Sequence, residues 1–157
     1  MTLPSRSVRL EPLPGYTPTI GRLVGILTYA RHTTLTAVEG LSAADLDHLH
    51  DDSSNSIGAL LAHIAAVDRG YQHIVFDERP PTAEETAALE PALTLGAEAR
   101  RITLAGLASR DDEWLEQPLR AAPAMNAHWA WFHVAEDEIN HRGQIRWLRS
   151  RLPSASR

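Results

Sequence analysis

The chain contains no cysteine, and this absence removes several kinds of chemistry from consideration. Disulfide bonds, iron–sulfur clusters and a cysteine nucleophile are all excluded, so any catalysis must use other groups. No apolar run approaches the roughly 20 residues needed to cross a bilayer, and the N-terminus lacks the charged-then-apolar pattern of a signal peptide. We therefore expect a cytoplasmic protein with no membrane partner.

An excess of positive charge is also missing, since the formal net charge is -5. Binding of nucleic acid requires a concentrated basic surface, so we expect no nucleic-acid partner. Four arginines do cluster near the C-terminus, but cations there suit the negative end of a helix macrodipole. They are Arg142, Arg146, Arg149 and Arg151.

What remains is ordinary for one globular domain: 157 residues, of which 43% are hydrophobic and 22% charged. Residues 1–17 hold three prolines and a glycine without periodicity, which indicates an irregular N-terminal arm. Residues 18–152 then form the predicted domain, and residues 153–157 form a C-terminal tail. We find no internal repeat.

Helical spacing of apolar residues predicts four long helices. They run from Pro18 to near Gly40, from Ser56 to the stop at Arg79–Pro81, from about Ala92 to Leu107, and from Asn126 to about Leu152. Thr17 and Asn126 are predicted N-caps of the first and last long helices. Ser42 and Thr82 each begin a capping box that predicts a short helical segment. Pro91 is expected to break or kink the chain. The expected fold is an all-α, up-and-down four-helix bundle.

The last helix carries a stripe of polar side chains at spacings of three and four residues. Burial of such groups without partners would cost several kcal/mol, at about 1–3 kcal/mol each, so an inward stripe needs something to satisfy it. A metal ion would do so, because side chains at i and i+4 project side by side. The stripe consists of His133, Asp137, Asn140, His141 and Gln144.

His63, at the edge of the apolar face of the second long helix, is the candidate ligand from a facing helix. A lone histidine on such a face is more often a buried, hydrogen-bonded residue, but the stripe on the last helix favours a metal ligand. Two imidazoles and one carboxylate suit zinc, nickel, iron or manganese. With only three protein ligands, the site would keep a position for substrate.

The segments Ser56–His63, which reads SIGALLAH, and Asp137–Gln144, which reads DEINHRGQ, resemble the DinB/YfiT-like superfamily of metal-binding four-helix bundles. The resemblance implies that His63, His141 and the residue at Asp137 hold a divalent ion, commonly nickel or zinc. At Asp137 the family most often has histidine, so this is a departure. His133, one turn earlier, is an alternative third ligand or a support for Asp137.

Family members with assigned activity resemble thiol-dependent transferases that use bacillithiol or mycothiol, so the resemblance implies such a transferase acting on a small electrophile. It also implies a homodimer. The alternative is a non-catalytic, stress-associated metal-binding protein. A further alternative needs no ion and places His63, Asp137 and His141 in a buried hydrogen-bonded cluster.

Around the ion we expect a substrate pocket formed by four side chains of the last helix. They are Asn140, Gln144, Trp129 and Trp147. Glu136 and Glu138 flank the stripe, and although one of them could act as a base, glutamate on a helix face is usually solvated. The sequence assigns no catalytic residue.

Overall fold

The computed structural model describes residues 10–87 and 92–153, which form seven helices and one small hairpin. The elements are α1 (Pro18–Val38), α2 (Ala43–Asp47), α3 (Ile57–Val75), α4 (Ala83–Ala87), α5 (Ala92–Ala108), α6 (Asp112–Glu116), β1 (Pro118–Leu119), β2 (Ala122–Asn126) and α7 (Ala127–Arg149). Helices dominate this part of the chain, so the prediction of an all-α fold is confirmed. The four long helices begin and end close to their predicted bounds.

The first and last long helices, α1 and α7, pack on each other and run in the same direction. Ile20 near the start of α1 shares one core cluster with Ala127 at the start of α7. Near the other end, the Arg149 guanidinium donates a hydrogen bond to the Ala37 carbonyl at 2.7 Å. The two helices are therefore parallel neighbours.

The middle pair, α3 and α5, is also parallel. Asp68 of α3 meets Arg100 of α5, and further along both helices Phe76 lies against Gly106. The pair as a whole is antiparallel to α7, because early α3 faces the middle of α7 while Phe76, just beyond α3, contacts Trp131 near the start of α7.

The path of the chain therefore differs from the alternating up-and-down course that we expected. The order is up, down, down, up, with α1 and α3 on one diagonal and α5 and α7 on the other. Residues 39–56 and residues 76–91 link the helices, and connections of this length allow a long helix to follow one that is not its antiparallel neighbour. One consequence is that α3 packs directly on α7.

Side-chain caps fix several helix starts where the sequence predicted them. Asn126 accepts from the Trp129 N–H at 2.8 Å, and Ser42 forms a full capping box with Asp45. Thr82 and Glu85 exchange the corresponding bonds at the start of α4.

The start of α1 lies at the predicted N-cap residue, but the capping bonds come from a distant side chain. Thr17 occupies the N-cap position, but its side chain makes no capping bond. Asp112 of α6 accepts instead from the N–H groups of Thr19 and Ile20 and from the Thr17 hydroxyl. Partial burial alone would raise the pKa of Asp112, but these hydrogen bonds outweigh it and lower the pKa to about 2.

The sequence did not predict the hairpin between α6 and α7. After the short helix α6, the strands β1 and β2 form an antiparallel pair with an irregular register. Pro118 and Pro123 interrupt the alternation of apolar and polar residues that would mark these short strands in the sequence.

The core between the long helices has two parts. One surrounds Trp131 at the end where α7 begins, and the other surrounds Ile145 at the end where α7 finishes. Residues 10–17 are irregular, and Leu13 and Tyr16 pack against the first part. Residues 1–9, the expected break at Pro91 and residues 154–157 lie outside the described residues. No helix in the described ranges is both long enough and apolar enough to span a membrane.

Candidate metal centre

Three predicted ligands meet in the groove between α3 and α7. The His63 Nε2 atom lies 3.5 Å from Asp137 Oδ1, and the His141 Nε2 atom lies 3.4 Å from the same oxygen. The two imidazole rings meet edge to face with centroids 4.7 Å apart. One donor atom from each residue falls within 4.8 Å of the others, which is a separation that a single ion can bridge.

The local structure explains this convergence. Asp137 and His141 are four residues apart on α7, so their side chains emerge side by side from adjacent turns. His63 lies on α3, which is antiparallel to α7 and packs directly against it. Two ligands from one helix and one from its neighbour form a common arrangement for metal sites in helical bundles.

The Asp137 carboxylate lacks a full set of partners within the described residues. Its Oδ1 atom approaches both imidazoles, while Oδ2 is buried and accepts no hydrogen bond in the part of the chain that the structure describes. A buried carboxylate oxygen without a partner is energetically costly. A divalent cation beside it would remove that cost, so these residues fit the ion that the sequence predicts.

His141 is oriented by a neighbour one turn further along α7. Its Nδ1 atom lies 2.8 Å from Gln144 Oε1, and because an amide oxygen can only accept, Nδ1 donates. The proton on Nδ1 leaves Nε2, the atom near Asp137, with a free lone pair. Hydrogen bonds of this kind commonly fix the tautomer of metal-binding histidines.

The centre is open on the side of α3. About half of the His63 side chain (51%) is exposed, whereas Asp137 and His141 are 15% and 21% exposed. The site therefore has a partly buried floor on α7 and a solvent-facing edge on α3. Such a site leaves room for water or a small ligand beside three protein donors.

His133, the alternative ligand, lies apart from this cluster. Its Nδ1 atom pairs with Glu136 at 3.1 Å, and its ring stacks on Trp129 with centroids 4.9 Å apart. Tyr71 of α3 meets the same ring edge to face at 5.7 Å. Burial and then the charge of Asp137 raise the pKa of Tyr71, so the phenol stays neutral beside the centre. His133 and Tyr71 thus border the groove without joining the convergent donors.

The four residues predicted to line a substrate pocket have different surroundings. Gln144 contacts His141, and Asn140 is exposed on the same helix. Trp129 is 47% exposed and stacks on His133. Trp147 lies beneath the Arg151 guanidinium at 3.7 Å and touches the His50 ring edge to face.

The expectation that Glu138 is solvated is wrong, because its side chain is fully buried. Its oxygens lie 2.9 Å from guanidinium nitrogens of Arg31 and Arg100. Asp68, also fully buried, lies 2.9 Å from Arg100 and 3.8 Å from Arg31. We call these four residues the buried ion cluster.

The sequence itself carries a signal for this cluster. Asp68 continues the buried stripe of α3 beyond Leu61 and Ile64, and Glu138 continues that of α7 beyond Trp131 and Val134, at spacings of three and four residues. A charged residue in such a stripe must be paired when buried.

Comparison with known proteins agrees with the fold. The sequence profile of the DinB superfamily matches residues 26–145, a span that includes His63, Asp137 and His141. None of the curated proteins matches this chain. Because the profile covers most of its length, the chain belongs to the DinB superfamily.

Proposed function

We propose that the protein is a divalent-metal-dependent transferase that joins a low-molecular-weight thiol, of the bacillithiol or mycothiol type, to small electrophiles. The ion would be nickel or zinc, held by His63, Asp137 and His141. The observation that carries the proposal is the convergence of these three donors in a groove with an exposed edge.

The donor set supports a borderline transition metal rather than magnesium or calcium. Imidazole nitrogen suits zinc and nickel, whereas magnesium and calcium prefer oxygen ligands throughout. The carboxylate of Asp137 would partly neutralise the charge of a bound divalent ion. The bond from His141 to Gln144 presents the correct nitrogen for coordination.

The exposed edge supports a catalytic centre over a storage or structural site. Structural zinc sites are usually closed by four protein ligands, whereas catalytic ones keep a position open. The ion would supply Lewis acidity that favours the thiolate form of a thiol at neutral pH. Since the chain has no cysteine, the reacting sulfur would belong to the small thiol.

The groove also offers side chains to hold the second substrate. Tyr71, His133 and Trp129 form an aromatic row beside the ligands, and Asn140 and Gln144 add amide groups on α7. Such a row would hold the apolar part of a small electrophile.

We place the activity in the cytoplasm, and the homodimer stays a prediction that light scattering can test.

The experiment uses protein purified without a histidine tag and loaded with zinc or nickel. It is incubated with bacillithiol or mycothiol and monobromobimane, and the rate is corrected for the uncatalysed reaction. We expect a metal-dependent rate that His63→Ala abolishes. His128→Ala, which changes a histidine paired with Glu116 outside the centre, should leave it unchanged.

Two results would contradict parts of the proposal. Stoichiometric metal without any rate above background, for either thiol, would favour the non-catalytic metal-binding protein. Negligible metal in the wild type and the His63→Ala variant alike would refute the metal centre itself and leave a hydrogen-bonded cluster.

A further inference from the structure

The buried ion cluster lies at the centre of the bundle, where the four long helices come together. Arg31 comes from α1, Asp68 from α3, Arg100 from α5 and Glu138 from α7. Asp68 and Glu138 are fully buried, and the Arg100 side chain is only 7% exposed. Two positive and two negative groups balance, so the cluster carries no net charge.

Arg100 contacts each of the other three long helices through a different nitrogen. Its Nε atom donates to Asp68 at 2.9 Å, its Nη2 atom to Glu138 at 2.9 Å, and its Nη1 atom to the Leu27 carbonyl at 2.6 Å. The guanidinium is a rigid planar fork, so these three contacts fix three helix positions at once. Burial alone would lower the pKa of Arg100, but Asp68 and Glu138 outweigh it and raise the pKa, which keeps the side chain charged.

The cluster joins the same two helices that carry the metal ligands. Asp68 lies five residues after His63 on α3, and Glu138 directly follows Asp137 on α7. A guanidinium between Asp68 and Glu138 therefore sets how far α3 and α7 stand apart and how they are aligned. A slip of one helical turn, about 5.4 Å, would carry His63 out of reach of the other two ligands.

Stability alone is a weak reason for such a cluster. Well-packed apolar residues can often replace buried ion pairs with no loss of stability, and the best-attested role of buried polar groups is to fix the register of helices.

Thr103 and Gln72 extend the network, since Thr103 donates to Asp68 at 2.6 Å and Gln72 donates to Thr103 at 2.9 Å. The Asp68 carboxylate is therefore held by Arg100 through one oxygen and by Thr103 through the other.

We propose that Arg100 is a positioning residue of the metal centre, which holds α3 and α7 at the separation that brings His63 to Asp137 and His141. This inference rests on the proposed metal binding and goes beyond it. It assigns no role in chemistry to Arg100, which lies in the core and not in the groove.

The test compares the wild type with Arg100→Lys, which keeps the positive charge but cannot reach three partners. Zinc affinity is measured by competition with a chromophoric chelator, and cobalt(II) absorption reports the ligand geometry. We expect about 10- to 100-fold weaker zinc binding, the range seen when support of a ligand is lost, and an altered cobalt spectrum. The control for a general loss of stability is Leu107→Ala, which opens a cavity in the core further along α5. This variant should bind zinc normally.

The results separate this inference from the proposed function. If Arg100→Lys and the wild type bind zinc equally with the same cobalt spectrum, Arg100 serves stability alone and the inference is wrong, while metal binding stands. If the wild type binds no metal, both are wrong. If Arg100→Lys does not fold, Arg31→Lys decides by the same criteria, since Arg31 bridges the same two carboxylates from the partly exposed edge of the cluster.

Discussion

Substitution of Gln144 by methionine tests the metal centre without altering any proposed ligand. Gln144 is exposed, and its Oε1 atom accepts the Nδ1 proton of His141 at 2.8 Å. Methionine keeps the length of the side chain and its helix propensity but removes the strong acceptor. The His141 ring can then rotate or adopt the other tautomer, in which Nε2 carries the proton and cannot bind an ion.

The size of the effect follows from the position of this bond. A typical hydrogen bond contributes about 0.5–1.5 kcal/mol net, and an exposed one is partly replaced by water. Loss of such support commonly weakens metal affinity by about 10- to 100-fold. Because Gln144 is exposed, we expect the lower end, about tenfold, which corresponds to about 1.4 kcal/mol at 25 °C.

Zinc affinity measured by competition with a chromophoric chelator provides the assay, together with the thermal midpoint of the metal-free protein. The midpoint should not change, because Gln144 is exposed. Gln144→Glu keeps an acceptor and should retain the affinity. Asn140→Ala changes a neighbouring exposed residue and should have no effect. Equal affinities in Gln144→Met and the wild type would refute the role assigned to this bond.

Three further predictions concern a ligand, a cap and a close contact. Asp137→His should retain zinc binding, because an imidazole nitrogen can replace the carboxylate oxygen as a zinc ligand, whereas Asp137→Ala should lose most of it, as a chelator competition will show. Asp112→Asn should lower stability in urea above about pH 4 and converge with the wild type as the pH falls toward 2, because the folded-state pKa of Asp112 is depressed to about 2. Equal loss at every pH would contradict this. Gly106→Ala should lower the thermal midpoint, because the added methyl group would collide with the Phe76 ring. Overpacking of this kind costs about 1–3 kcal/mol, which exceeds the gain of up to about 1 kcal/mol in helix propensity. An unchanged or raised midpoint would show that the ring moves freely.

The helices and the side-by-side placement of Asp137 and His141 on α7 could be predicted because both depend on local periodicity. Asp137 and His141 are neighbours on any α-helix, and apolar spacing marks where each helix begins and ends. The choice between Asp137 and His133 as the third ligand could not be made from this spacing alone. It depends on how α7 is rotated and aligned against α3, which only the packed structure fixes.

The order of the helices and the partners of Glu138 could not be predicted in the same way. Connections as long as residues 39–56 permit several helix orders, and local periodicity does not select among them. Glu138 falls on the buried stripe of α7, so its burial could have been noticed, but its pairing with Arg100 depends on the diagonal arrangement of α5 and α7. The hairpin before α7 is too short to leave an alternating pattern.

The most direct test of the metal centre is anomalous diffraction from crystals grown with zinc or nickel, recorded at the absorption edge of the metal. We predict one strong peak within bonding distance of His63 Nε2, His141 Nε2 and an Asp137 carboxylate oxygen, at about 2.0–2.2 Å as for zinc sites generally. The absence of a peak at saturating metal, or a peak held by His133 and Glu136 instead, would contradict this assignment.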